Sequence, residues 1–332
     1  MSKDYLAKVI KDFEGVGTAE SQVMNVWVDT GSYALNKAIS GSYQKGLPFG
    51  RVVDVFGDPS TGKSLLIYHI LANVQKMGGV AILDDTEDAY VKEFGEKIGI
   101  NNDELIILNS LAVEEHFEKI FLGWKNSKGK KKESLVDMIL AEEPECPIVV
   151  ALDSVALLST RHEQDVKFDK PDMAKAKQLR AGMRMISKHL QEHEILHMIS
   201  NHVIAKIGVM FGPTKTTPGG SGIPFQASVR IDLSLGKKIL DKEIETKKVG
   251  VQSRVKIAKN KISAPFKETM LDIYFDKGVD PYSGVKEMMV DDGILVPQKG
   301  NIFIYKNPEG VEEKIRGFKF EEWLLEHADL LI

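Results

Sequence analysis

The sequence predicts an α/β fold: a mostly parallel central sheet with helices on both faces and an antiparallel extension at one side. Three observations predict it. Between residues 51 and 200 short apolar runs alternate with amphipathic helical stretches, the pattern of parallel strands joined by helical crossovers. Gly57-Asp58-Pro59-Ser60-Thr61-Gly62-Lys63-Ser64 fits G-x-x-x-x-G-K-[ST], a phosphate-cradling loop that belongs between a strand and a helix. After residue 227 strand-like runs follow one another without helices between them, which reads as an antiparallel addition to the same sheet.

Composition bounds the rest. A chain of 332 residues holds one large α/β domain plus smaller appendages. The net charge of −4 excludes a globally basic nucleic-acid binder, so any such site is local. The single cysteine, Cys146, excludes an internal disulfide and a cysteine-based zinc site and suits a reducing compartment. No run approaches the ~20 apolar residues of a membrane span, and Met1-Ser2-Lys3-Asp4 lacks the plan of a signal peptide. The expected location is the cytoplasm.

In chain order, residues 3–13 read as a short amphipathic helix with Leu6, Val9, Ile10 and Phe13 on one face and Ser2 as cap. A helix this short is marginal alone, so that face docks on its own core or on a neighbouring subunit. Strands are expected at 51–56, 80–83, 105–108, 147–152 and 195–200, and helices at 65–77, 89–98, 113–124 and 173–192. The later strands are 228–235, 252–258 and 270–275, and residues 276–332 read as a small α+β unit with two short helices and a hairpin near 302–305. The expected division is an N-terminal segment 1–30, a core 31–275 and a C-terminal unit 276–332. Residues 125–132 are lysine-rich; such a run is ordinarily a solvated loop, with nucleic-acid contact as the alternative.

The glycines of 57–64 let successive N–H groups converge on phosphate oxygens. Lys63 then reaches the β- and γ-phosphates and the Ser64 hydroxyl serves Mg²⁺, with backbone contacts running from Gly57, Asp58, Pro59, Ser60, Thr61 and Gly62 through Leu65. The apolar run 148–152 ends in Asp153, at the strand edge where ligands of open α/β sheets bind, so Asp153 is the second Mg²⁺ candidate. The strand 80–83 leads into Asp84-Asp85-Thr86-Glu87. Glu87 is the candidate to activate water, although spacing alone leaves the choice among Asp84, Asp85 and Glu87 open. Lys177, Arg180, Arg184 and Lys188 form one stripe of the helix 173–192 beside an apolar face. The segment 203–222 is Gly-rich and long for a compact domain. Its backbone and Lys206 suit phosphates, while Ile207, Met210 and Phe211 suit insertion between bases.

Lys206-Ile207-Gly208-Val209-Met210-Phe211-Gly212, then Thr216-Thr217-Pro218-Gly219-Gly220, resembles the second DNA-binding loop of the RecA recombinase family. Ala227-Ser228-Val229-Arg230 and Lys259-Asn260-Lys261-Ile262-Ser263-Ala264-Pro265-Phe266-Lys267 extend the resemblance, and residues 275–284 are closest to its T-even phage branch, the UvsX type. The similarity spans roughly residues 28–300. It implies a RecA-like core, Glu87 as catalytic glutamate, Phe94 against adenine, and His202 as the polar sensor of the γ-phosphate. Lys259 and Lys261 would reach a neighbour's ATP, and 159–172 would be the first DNA loop, adding Lys177, Arg180 and Arg184 to its contacts together with Gly219 and Gly220 of the second. Four departures stand out: Leu65 in place of a second hydroxyl, Val91 in place of an acidic residue facing adenine, the 125–132 insertion, and an apolar C-terminal end.

The expected function is that of an ATP- and Mg²⁺-dependent recombinase. It would form a homo-oligomeric filament on single-stranded DNA and pair that strand with homologous duplex DNA. The rivals are a ring helicase on the same core, a non-catalytic mediator, and a nucleotide-switched filament with no DNA role.

Overall fold

A computed structural model describes residues 26–126, 128–165, 174–205, 215–241, 243–244 and 246–332. The predicted helix 3–13 and the residues Lys206, Ile207, Met210 and Phe211 lie outside the described residues. The elements are β1 (Trp27–Val28), α1 (Tyr33–Ser40), β2 (Leu47–Pro48), β3 (Val52–Gly57), α2 (Lys63–Lys76), β4 (Val80–Asp85), α3 (Lys92–Ile98) and β5 (Leu105–Leu108). There follow α4 (Val113–Phe117, continued as a π-turn Glu118–Leu122), β6 (Trp124–Lys125), β7 (Lys131–Lys132), α5 (Leu135–Glu142), β8 (Ile148–Asp153), α6 (Arg161–Asp165), α7 (Ala174–Glu192) and β9 (Ile195–His202). The chain continues with β10 (Ile204–Ala205), β11 (Lys215–Thr216), α8 (Gly222–Gln226), β12 (Val229–Leu240), β13 (Lys248–Asn260), β14 (Glu268–Tyr274) and β15 (Gly278–Val279). It closes with α9 (Val285–Asp291), β16 (Leu295–Gln298), β17 (Ile302–Lys306), β18 (Glu312–Arg316) and α10 (Phe320–Glu326).

Nine strands form one sheet in the order β15-β14-β13-β12-β3-β9-β8-β4-β5. The block from β12 to β5 is parallel, and β13, β14 and β15 add to it antiparallel. Side chains alternate across the sheet. Val53, Val55, Ala81, Leu83, Val149, Ala151 and Met198 enter one core with Leu66, Ile67 and Ile70 of α2. Ile82, Ile148, Val150, Leu152 and Ile199 enter the other, with Phe117 and Ile120 of the α4 stretch and Leu179, Met183 and Ile186 of α7. The first core continues without interruption into the last 57 residues of the chain through Val285, Met289, Leu295 and Leu324.

Several boundaries differ from expectation for identifiable reasons. The helix expected over 89–98 starts at Lys92, because the Asp85 carboxylate accepts the N–H groups of Ala89 (2.9 Å) and Tyr90 (2.8 Å) and holds a turn there. The helix expected over 113–124 ends at Leu122, where Gly123 takes φ 73° and Trp124 leaves to pair with Lys132. The hairpin near 302–305 is a three-stranded meander, β16-β17-β18. Among the described residues no helix is long and apolar enough to cross a membrane.

Candidate active site

The phosphate loop joins the buried strand β3 to α2. Gly57 packs so tightly on β12 that a Cβ would stand 2.0 Å from the Leu233 carbonyl oxygen, which requires glycine. Gly62 has φ 90° and precedes a helix whose first turn has no side-chain cap and no acidic residue. Those free N–H groups and the helix dipole make an anion site. Thr61 is buried; its hydroxyl donates to the Asp58 carbonyl (2.8 Å) and its own carbonyl accepts the Ser253 hydroxyl (2.8 Å), which ties the loop to β13. Lys63 Nζ donates back to the carbonyls of Gly57 (3.2 Å) and Asp58 (2.9 Å). Burial pushes the Lys63 ammonium below its ordinary value, against the charges of Asp153, Glu87 and Asp58. Leu65 is buried in the first core, so only its backbone is available to a phosphate.

Pleat alternation puts Asp153, Ser200 and His202 on the α2 side of the sheet. Asp153 is almost wholly buried. Burial raises its carboxyl above the usual range, the neighbouring Ser64 and Ser200 hydroxyls partly offset this, and the charges of Glu87 and Asp85 add to the rise. Among the described residues no lysine or arginine forms an ion pair with it. A buried carboxylate with no direct ion pair among the described residues, beside a hydroxyl, fits Mg²⁺, which takes one or two protein oxygens and keeps waters and phosphate for the remaining positions. Such a site needs no cage of three protein ligands, and none occurs among the described residues.

Glu87 follows the end of β4. Its Oε1 accepts the Ser154 hydroxyl at 2.5 Å and lies 3.1 Å from His202 Nε2. Burial would raise the Glu87 carboxyl, but the hydrogen bonds from Ser154 and His202, with the charges of His202 and Lys63, hold it below the usual range. Thr86 fastens this corner to β8: its N–H reaches the Asp153 carbonyl (2.9 Å) and its hydroxyl the Ser154 carbonyl (2.7 Å). The three acidic candidates thereby separate. Asp85 pins the turn at 89–90. Asp84 points to the opposite face, where it is buried, accepts the Ser110 N–H at 2.8 Å and meets His116 Nδ1 at 2.7 Å. His116 Nε2 in turn lies 3.1 Å from Nε2 of the buried His197. Of the three, Glu87 alone faces Lys63 and His202.

The basic stripe is borne by α7: Lys177, Arg180, Arg184 and Lys188 are exposed while Leu179, Met183, Ile186 and Leu190 are buried. Gly219 (φ 86°) and Gly220 (φ 69°) turn the chain against this helix, with Leu179 and Ala176 where their Cβ atoms would be. Arg180 donates to the Ser221 hydroxyl at 2.7 Å, and Asn201, beside His202, donates to the Pro218 carbonyl at 3.2 Å. The β10–β11 pair brackets residues 206–214 and starts two residues after His202. Phe94 is half-buried against the first core. Lys259 donates to the carbonyls of Pro224 and Phe225, both at 2.8 Å, and Lys261 is exposed. Lys259 lies opposite Arg230, whereas Gly57 pairs with Leu233. Along the strand direction Lys259 is thus three residues, about 10 Å, from the level of Gly57, and Lys261, whose N–H bonds the Ser228 carbonyl at 2.9 Å, is five residues from it.

Ser154 and Thr86 adjoin Asp153 and Glu87 in the chain but belong to no motif, and only the fold shows that they hold this corner. The fold likewise makes Arg230 the partner of buried Asp54, bonded at 2.7 Å and stacked 4.2 Å from the Phe56 ring.

An uncapped phosphate loop, a buried carboxylate at the end of a neighbouring strand and a glutamate held by a histidine define a P-loop nucleoside triphosphatase on a mostly parallel sheet. The model of the RecA N-terminal domain matches residues 13–280. Protein RecA of Lactococcus lactis subsp. cremoris (strain MG1363) is 31% identical over 334 residues, spanning 98% of this chain and 80% of that protein. Protein RecA of Rickettsia africae (strain ESF-5) is 34% identical over 281 residues, spanning 84% of this chain and 75% of its own length. The chain belongs to the RecA family. It is a recombinase and a DNA-dependent ATPase.

Proposed function

We propose that this chain polymerises on single-stranded DNA, holds ATP and Mg²⁺ between adjacent subunits, and pairs the bound strand with homologous duplex in the cytoplasm of its cell. One observation carries the reading. Glu87 and His202 share a contact at the head of β9, and the chain runs from His202 directly through the β10 strand into the segment with the DNA-loop motif. That continuity supports a coupling between the nucleotide site and the segment proposed to bind DNA.

In this reading the loop 57–64 and Lys63 hold the triphosphate, Glu87 orients and deprotonates the attacking water, and His202 senses the terminal phosphate. Ser64 and Asp153 would hold Mg²⁺, which would supply neutralisation of phosphate charge. Phe94 packs on the base. Lys259 and Lys261 of one subunit complete the site of the next, in the manner of arginine fingers. The register supports this, since Lys259 lies at the level of Asp54 and not of Gly57, and its ammonium is turned to the Pro224 and Phe225 carbonyls. Lys177, Arg180, Arg184, Lys206, Ile207, Met210, Phe211, Gly219 and Gly220 contact DNA, mostly through phosphate. Residues 1–30 serve oligomerisation, 31–275 form the ATPase core, and 276–332 form a small C-terminal unit.

Electron microscopy with a non-hydrolysable ATP analogue, with and without single-stranded DNA, combined with a strand-exchange assay, tests the reading. Helical filaments on the strand and exchange of homologous strands are expected. Closed rings with processive unwinding would replace it with the helicase, and assembly indifferent to DNA would replace it with a structural filament.

A further inference from the structure

The lysine-rich run is a built hairpin. Its β6 and β7 strands set Lys125 opposite Lys131 and Trp124 opposite Lys132. Asn126 fixes the turn, its side-chain oxygen accepting the N–H groups of Lys128 (3.1 Å) and Lys130 (3.0 Å). Lysines directly opposite in an antiparallel pair share one face with Cβ atoms about 5 Å apart, and like charges so placed disfavour the hairpin. Among the described residues no carboxylate pairs with Lys125, Lys128, Lys130, Lys131 or Lys132. Of the acids on the adjacent helix, Glu115 pairs with Lys119 and Glu118 with Arg161, while Glu114 accepts the Arg161 N–H at 3.2 Å; Glu114 and Glu118 both line the cavity described next. The geometry is that of a cationic face lacking its anion.

This hairpin borders a cavity of about 610 Å³. Leu122, Trp124 and Met185 give it apolar walls, with Lys125 and Lys131 at the rim. Met185, on the flank of α7 between its basic stripe and its buried face, is 60% exposed. Arg161, at the start of α6, lines the same cavity and is fixed by two hydrogen bonds to Glu118 (2.8 and 2.7 Å). The cavity therefore stands between the hairpin, the segment that resembles the first DNA loop, and the flank of α7 adjoining the Lys177–Arg180–Arg184 stripe.

We propose that the β6–β7 hairpin and its cavity form a further single-stranded DNA subsite, with phosphates on Lys125 and Lys131 and a base in the cavity against Trp124 and Met185. Cations along a rim with an aromatic and apolar platform below are what an unpaired strand needs. A duplex keeps its base faces stacked and has no use for the cavity, and an acidic peptide would use the lysines alone. The inference rests on the reading that single-stranded DNA is the polymer this chain binds.

The test uses the full chain and a Lys125→Ala/Lys131→Ala variant, both positions being exposed. Affinity for an oligothymidylate and for a duplex of equal length is measured over a salt series. In parallel, the wild type is photo-crosslinked to a strand carrying 5-iodouracil. For two lost phosphate contacts the slope of log affinity against log salt on the single strand should become shallower by about 1.4. Crosslinks should fall on the peptide containing Trp124, and ATP hydrolysis without DNA should be unchanged. If the wild type binds the single strand but the slopes are equal and the Trp124 peptide is unmodified, the subsite is refuted while the proposed function stands. A loss confined to the duplex refutes the single-strand assignment. A wild type that does not bind the single strand overturns the subsite together with the reading beneath it.

Discussion

Glu87 Oε1 is held between two groups from different strands, the Ser154 hydroxyl at 2.5 Å and His202 Nε2 at 3.1 Å. Both bonds go to one carboxylate oxygen, and among the described residues Oε2 has no partner, so it is the oxygen available to a water. Glu87→Gln keeps the size and the Ser154 contact but removes the base. Single-strand-stimulated hydrolysis should fall by roughly 10²–10⁴-fold while nucleotide binding persists. Phosphate release alongside equilibrium binding of a fluorescent ATP analogue checks this, and unchanged turnover would remove Glu87 from the chemistry.

Lys259 is engaged by the carbonyls at the end of α8 and is remote from its own phosphate loop. Lys259→Met should therefore leave nucleotide binding by the free chain intact and depress filament hydrolysis by about 10³-fold or more. Mixing Lys259→Met with Glu87→Gln subunits should restore part of the activity, because some junctions join an intact phosphate loop to an intact lysine. If mixtures stay as inactive as their components, Lys259 does not act across the interface.

Asp54 is fully buried on the α7 side of the sheet, and Arg230 Nε bonds it at 2.7 Å. Burial pushes the Asp54 carboxyl up and Arg230 opposes it. Arg230→Ala leaves the acid buried and unpaired, for an expected loss of about 3–5 kcal/mol. Replacing both by apolar residues of similar volume should cost far less. Urea titration of the single and double variants distinguishes these outcomes, and a loss below about 1 kcal/mol for the single variant would show that the pair carries little.

His69, in α2, accepts the Val279 N–H at 2.9 Å and so fastens the edge strand β15. Burial first, and Lys76 second, lower its pKa to about 4. The folded chain thus prefers the neutral ring. Its contribution is complete above pH 6.5 and is lost as pH falls from 6.5 to about 4, on the order of 3 kcal/mol in total. His69→Gln retains an acceptor and should flatten stability against pH in that window, as read by thermal unfolding at pH 4.5 and 7.5. Equal slopes in the two proteins would exclude His69 as the source.

Much of the core was legible because its signals are local. The phosphate loop is eight consecutive residues between a strand and a helix, and β3, β4, β5, β8 and β9 appear as apolar runs with ends displaced by at most two residues. The helix end at Gly123 and the late start of α3 were not legible, since each depends on a partner distant in the chain or on a side chain capping a turn. The Asp84–His116–His197 chain and the Arg230–Asp54 pair were invisible for the same reason: each joins residues from different elements.

By itself the sequence determined which chemistry is present: a phosphate loop, a carboxylate at the end of a buried strand, a basic helix and a Gly-rich DNA motif. Only the tertiary structure decided which groups meet. In strands covered on both faces most positions are apolar, so the run carries little mark of which face a given residue takes. Register across β4, β8 and β9 turns Asp84 away, ties Asp85 to a turn, and leaves Glu87 against Ser154 and His202. Separately, the β12–β13 pairing sets Lys259 opposite Arg230, at the level of Asp54 and not of Gly57, a placement that no local run of residues announces.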